Sequence, residues 1–203
     1  MIKTIIFDFG NVFINLDIQG AIEKTYSSLN INGFSEHMIS VKALYEQGLI
    51  STDKFLEFYT ENFPEVSKED LIELWNDMLK DFPKHRLDFL KALKATSEYK
   101  LILLSNTNEL HINWIKEHVS FYEDFKNYFD QFYLSHDINL RKPNTDIFEF
   151  VLHENKLNAH ECIFIDDNRS NIDTADALGF ITWHINPETE DIINLFETKS
   201  DLF

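Results

Sequence analysis

Cysteine is nearly absent from this chain: Cys162 is the only one in 203 residues. A lone thiol cannot close an internal disulfide, and its place in the apolar run "CIFI" reads as a buried core residue in a reducing compartment. Positive charge is also scarce, with 18 lysines and arginines against 35 aspartates and glutamates, a net charge of −17. That balance argues against nucleic acid and anionic membrane surfaces as partners, because both are held mainly by excess lysine and arginine. An anionic ligand would have to be drawn in locally, by a divalent cation, a lysine or helix N-termini. No apolar run reaches the length of a membrane span, and the chain opens on a strand-like segment instead of a leader, so the expected location is cytoplasmic. Repeats, low-complexity tracts and long linkers are absent as well.

What is present is core material: 44% hydrophobic residues, 19 of them phenylalanine. Short β-branched or apolar runs occur at "TIIF" (4–7), "KLILLS" (100–105), "QFYLS" (131–135), "CIFID" (162–166) and "ITWHI" (181–185), and segments of helical period separate the later ones. That alternation predicts an α/β fold, a doubly wound Rossmann-like parallel sheet with helices on both faces. Residues 16–96 differ, because their apolar residues recur at helical spacing throughout. They predict an all-helical insertion, with Ser51 and Ser67 as helix starts and Gly48 and Pro83 as stops. The expected division is an α/β core of residues 1–15 and 97–203, and a helical cap of 16–96 packed close to the sheet.

In an open parallel sheet, ligands bind beyond the carboxyl ends of the strands. The predicted strands end at Asp8, at Ser105 and Asn106, before "RKP" (141–143), and at Asp166 and Asp167. Three carboxylates gathered on one rim stay ionised only around a cation, and an all-oxygen donor set with room for water suits Mg²⁺. A lysine and a hydroxyl beside that metal would neutralise and orient a phosphate. Asp8 could then attack phosphorus and form an aspartyl phosphate.

Each residue also has a plainer reading. Asp8 could be a turn residue or helix cap, Ser105 and Asn106 could cap a helix starting near Glu109, and Asp166 and Asp167 could form a solvated turn. Either Arg141 or Lys142 could be the cation that points inward. The eight histidines show no metal-ligand spacing and are given no catalytic duty. The segment "YEQGLIS" (45–51) is either a helix end stopped at Gly48 or a cap loop facing the site.

The stretches "IIFDFGN", "LLSNTN", "LRKPNTDIF" and "FIDDNRSN" resemble, in order, the four motifs of the haloacid dehalogenase-like superfamily, and the helical block lies where members with a C1-type cap carry theirs. Within it the chain is most similar to bacterial sugar-phosphate phosphatases of the α-D-glucose-1-phosphate type. The resemblance implies Asp8 as nucleophile and Mg²⁺ ligand, the Gly10 carbonyl as a ligand, and Asp167 as the main acidic anchor, with Asp166 as a ligand or outer partner. It further implies Lys142 as the charge-balancing catalytic lysine, and Ser105, Asn106, Lys142 and Asn11 as substrate contacts. Asn171 would sit in the outer shell of the metal.

One departure stands out. Most phosphatases of this superfamily place a second Asp two positions after the nucleophile, and here that position is Gly10. A leaving group needing little protonation, such as the anomeric oxygen of a sugar 1-phosphate, would suit the gap. The expected activity is therefore Mg²⁺-dependent hydrolysis of a small phosphorylated metabolite. A halide-releasing hydrolase and a catalytically weak ligand-binding relative are the alternatives. The paired acids Asp166 and Asp167 argue against the first, as does the lack of any Arg before Arg86. Asp8, Lys142 and the same acid pair argue against the second.

Overall fold

The computed structural model describes all of residues 1–203. Five parallel strands, β1 (Thr4–Phe7), β2 (Lys100–Ser105), β3 (Gln131–Leu134), β4 (Cys162–Asp166) and β5 (Ile181–His184), form one sheet in the order β3-β2-β1-β4-β5. Helices α1 (Ile18–Leu29), α2 (Glu36–Glu46), α3 (Thr52–Asn62), α4 (Lys68–Asn76) and α5 (Lys84–Thr96) lie between β1 and β2. The later crossovers carry α6 (Glu109–His118), α7 (Tyr122–Asn127), α8 (Ser135–Ile138), α9 (Thr145–Asn155) and α10 (Arg169–Ala177), and α11 (Leu195–Thr198) follows β5.

The strand residues alternate between two cores, as a pleat with period two requires. Ile5, Phe7, Leu101, Leu103, Ile163 and Ile165 enter a core on one face, whereas Ile6, Ile102, Leu104, Cys162 and Phe164 enter the other. Both faces of the sheet are therefore covered. Cys162 is buried, and burial pushes its thiol up to about 11, as befits a core residue.

A third core is built mainly from α1 to α4, by Leu29, Met38, Val41, Phe55, Leu71 and Leu74 among others, and takes in Leu110 of α6. Serines set the starts of three of these helices: Ser35, Ser51 and Ser67 accept from the backbone N–H of Met38, Lys54 and Asp70. Each such cap contributes about 1 kcal/mol. Helix α2 ends at Glu46, and Gly48 just beyond its cap has a φ of +65°, the left-handed conformation a glycine adopts freely.

One sequence expectation about this block needs correction. Pro83 does not close a helix; α4 has already ended at Asn76, and Pro83 immediately precedes α5, where its fixed φ suits a helix start. Helix α5, counted with the cap at 16–96, packs Leu87, Leu90 and Leu93 into the same core as β1 and β2. Its apolar face belongs with the sheet because it forms the last crossover into β2.

Candidate active site

Asp8 follows the central strand β1 directly, and its backbone N–H donates to the Ile165 carbonyl at 2.9 Å, holding the carboxylate beside the end of β4. Asp166 ends β4, and Asp167 starts the turn into α10. One carboxylate oxygen from each of Asp8, Asp166 and Asp167 lies within 4.8 Å of the other two. The Lys142 ammonium reaches in from the loop before α9 and donates to Asp8 Oδ1 at 2.7 Å and to Asp166 Oδ2 at 2.6 Å. Lys142, not Arg141, is the inward cation; its side chain is almost fully buried.

Three carboxylates and one ammonium leave two negative charges uncompensated when all are ionised, the deficit a divalent cation would fill. The titration directions agree. Burial pushes the Asp8 carboxyl above its usual range, with Asp166 and Asp167 adding to the effect and Lys142 opposing it. Burial likewise raises Asp167. Desolvation works against the Lys142 ammonium, but Asp166 and Asp8 outweigh it and hold that pKa above the ordinary lysine value.

The two acids of the pair have different surroundings. Asp166 is fully buried and saturated: its Oδ1 accepts from the Asn168 N–H and from Asn171, and its Oδ2 from Lys142 and from Asn171. Asp167 is half-buried and accepts from Asn11 Nδ2 at 2.7 Å through one oxygen. Asp8 and Asp167 are thus the carboxylates with oxygens to offer, while Asp166 orients Lys142. Asn171, placed by sequence in an outer shell, sits on Asp166.

Asn11 and Asn106, expected on the substrate, spend both ends of their carboxamides on the protein. Asn11 Oδ1 accepts from the Leu16 N–H and its Nδ2 holds Asp167, with the Asn11 backbone at φ 55°. Asn106 clamps the backbone of Lys142, accepting from its N–H at 2.9 Å and donating to its carbonyl at 2.8 Å. Neither Ser105 nor Asn106 caps α6; Asn108 does, accepting from the His111 N–H. Ser105, at the end of β2, is buried and lines a cavity of about 360 Å³ together with Gly10, Asn106 and residues of α1, α2 and α4.

The end of α2 is fastened to the core, and of "YEQGLIS" only Glu46 lines this cavity. Ser135 Oγ donates to the Glu46 carbonyl at 2.5 Å, Asn139 to the Gln47 carbonyl at 2.8 Å, and Arg141 to Glu46 Oε2 at 2.9 Å. A Cβ on Gly48 would lie 2.1 Å from the His136 carbonyl oxygen, so the loop and α8 meet backbone to backbone. Sequence reasoning missed the Glu46–Arg141 pair. The partners are 95 residues apart, and no local pattern announces them.

At position 10 a Cβ would fall 2.7 Å from Leu16 Cδ1 and 3.9 Å from Asp8 Oδ2. The place where a second acid would stand beside the nucleophile is therefore taken by the tip of Leu16.

The model of the haloacid dehalogenase-like hydrolases matches residues 2–179. The chain is 29% identical over 190 residues to a D-ribitol-5-phosphate phosphatase of Bacteroides thetaiotaomicron, covering 90% of this chain and 91% of that protein. A HAD family enzyme of the same organism, crystallised in complex with magnesium and inorganic phosphate, superposes with a TM-score of 0.81 at 33% identity over 97% of this chain and 100% of that one. A HAD-like hydrolase from Porphyromonas gingivalis gives 0.83 at 25% identity, over 98% and 97%.

Proposed function

This chain belongs to the haloacid dehalogenase-like hydrolases, and from that premise we propose that it is a Mg²⁺-dependent phosphatase of a small phosphorylated metabolite, working through an aspartyl phosphate on Asp8. The observation that carries the reading is the meeting of Asp8, Asp166 and Asp167 around the ammonium of Lys142. Asp8, Asp167 and the Gly10 carbonyl would hold the cation, which supplies charge neutralisation of the phosphoryl oxygens.

The steps belong to the chain's own residues. Lys142 holds one Asp8 oxygen at 2.7 Å and leaves the other to strike phosphorus. Asp166 keeps the ammonium in place, and Asn106 fixes the backbone that carries it. Lys142 and Asp166 are themselves buried, so their charges act where they are weakly screened.

The relative's named substrate supports a sugar or polyol phosphate, and the exchange of the second acid for Gly10 supports a 1-phosphate among these. A second reading of the organic group follows from the cavity wall, which is mainly apolar. The decisive assay measures phosphate release from a panel of phosphomonoesters with Mg²⁺, with EDTA, and in Asp8→Asn. Release that needs both Mg²⁺ and Asp8 supports the proposal, and release that survives in Asp8→Asn refutes it.

A further inference from the structure

Resting on the phosphatase reading, we infer that the preferred substrate is a phosphate ester of an aromatic, phenol-like hydroxyl, seated with its ring against the apolar wall of the cavity that opens beside Asp8. Two independent observations lead there.

The first is the wall. The cavity has a volume of about 360 Å³. Beyond the phosphate end at Gly10, Ser105 and Asn106 it is lined by Leu16, Ile22, Met38, Leu74, Trp75 and Met78. The polar groups that share this wall are largely engaged within the protein. Glu46 is held by Arg141 at 2.9 Å with Lys42 at 3.6 Å, and Thr25 donates to the Ala21 carbonyl. His111 has Nε2 at 3.0 Å from the Trp75 carbonyl and Nδ1 at 3.2 Å from Asn108. Arg141 Nε is a buried donor without a partner, and the Tyr59 and Thr107 hydroxyls on this wall make no hydrogen bond within the protein. A fully hydroxylated chain entering here would exchange water for carbon at most of its hydroxyls, whereas a ring loses only apolar surface.

The second is the leaving-group side of the nucleophile. Leu16 occupies the space a carboxyl at position 10 would need, and burial holds His111 neutral. Neither position 10 nor His111 therefore offers the departing oxygen a proton. Asp8 forms the new O–P bond as the P–O bond to the ring breaks, and the electron pair departs on a phenolate, which takes its proton from solvent. Water then cleaves the aspartyl phosphate, giving inorganic phosphate and restoring Asp8. A phenol, with a pKa near that of tyrosine at about 10, tolerates such departure far better than an alkanol.

The test measures kcat/KM of the Mg²⁺-loaded enzyme for 2-naphthyl phosphate, D-ribitol 5-phosphate, glucose 1-phosphate and acetyl phosphate, the last having almost no organic group to seat. The same set is run on Ile18→Glu and Ile39→Glu, at exposed positions on the cavity rim where the fold tolerates a charge. The inference predicts naphthyl phosphate at least tenfold above both sugar substrates. It also predicts a tenfold or greater loss for naphthyl phosphate in the rim variants, carried by KM, with acetyl phosphate changed less than twofold. A sugar substrate equal to or better than naphthyl phosphate overturns the inference and leaves the phosphatase reading intact, and so does an equal loss on naphthyl and acetyl phosphate. If no compound, acetyl phosphate included, is hydrolysed in an Asp8-dependent way, the phosphatase reading itself falls.

Discussion

The Lys142 ammonium and Asp8 Oδ1 stand 2.7 Å apart although 134 residues separate them in the chain, and both side chains are buried. Asp166 completes the arrangement from the other side of the ammonium at 2.6 Å. Replacing Lys142 by Met leaves two buried carboxylates facing each other without their cation. Removing one partner of a buried pair costs about 3–5 kcal/mol, so Lys142→Met should melt well below wild type at neutral pH. Phosphatase turnover should drop by about 10²-fold or more, by analogy with loss of a group stabilising transition-state charge. Thermal denaturation and a phosphate-release assay on the same preparation check both.

Asp8 predicts an inverse relation between stability and function. Its pKa is raised in the folded protein, so the folded state binds a proton more readily than the unfolded chain, and stability falls as pH rises through that range. In metal-free protein at pH 8, Asp8→Asn should therefore melt above wild type while losing turnover. Added Mg²⁺ should raise the melting temperature of wild type by mass action and have little effect on Asp167→Ala. Calorimetry with and without EDTA separates these outcomes.

Gly10 and Leu16 predict how the missing acid could be restored. A carboxyl at position 10 meets Leu16 Cδ1, the far end of a flexible side chain, so Leu16→Ala should make room for Gly10→Asp. The double variant should gain about 10²-fold on alkyl phosphates, the lower range for a positioned general acid, and change little on aryl phosphates. A plot of log kcat/KM against leaving-group pKa should be steep for wild type and flatter for the double variant.

Much of this geometry was legible beforehand, for reasons that differ by residue. The runs at 4–7 and 162–166 announced themselves because strands covered on both faces must be apolar without interruption, and a carboxylate at the end of each is out of place unless used. Ser51 and Ser67 were readable because capping is local. Pairings across the fold were not. Nothing near Asn106 tells that its carboxamide will clamp Lys142, or near Glu46 that it will meet Arg141. The displacement of α5 into the sheet core was hidden for a similar reason: an amphipathic period gives the apolar face of a helix and not what that face will touch.

His111 predicts a pH dependence of stability independent of turnover. It is buried, its Nε2 faces the Trp75 carbonyl, and burial lowers its pKa from 6.5 to about 4. A depressed folded-state pKa contributes stability that is complete above 6.5 and is lost as pH falls toward 4, because the unfolded chain takes the proton first. The loss across that window is about 3 kcal/mol at most, from 1.36 kcal/mol per pKa unit. Denaturant unfolding of wild type and His111→Gln at pH 7, 6, 5 and 4 checks it, and the variant should show the shallower decline.

The most direct test of the central claim is to trap the enzyme during turnover. Acid quench of wild type mixed with Mg²⁺ and a hydrolysed phosphomonoester, followed by borohydride reduction and peptide mass spectrometry, reads which carboxylate carried the phosphoryl group. The account predicts reduction to homoserine at Asp8 alone, and no labelled peptide from Asp8→Asn. Steady-state turnover with an unmodified Asp8 peptide, or a label on Asp166 or Asp167, would contradict it.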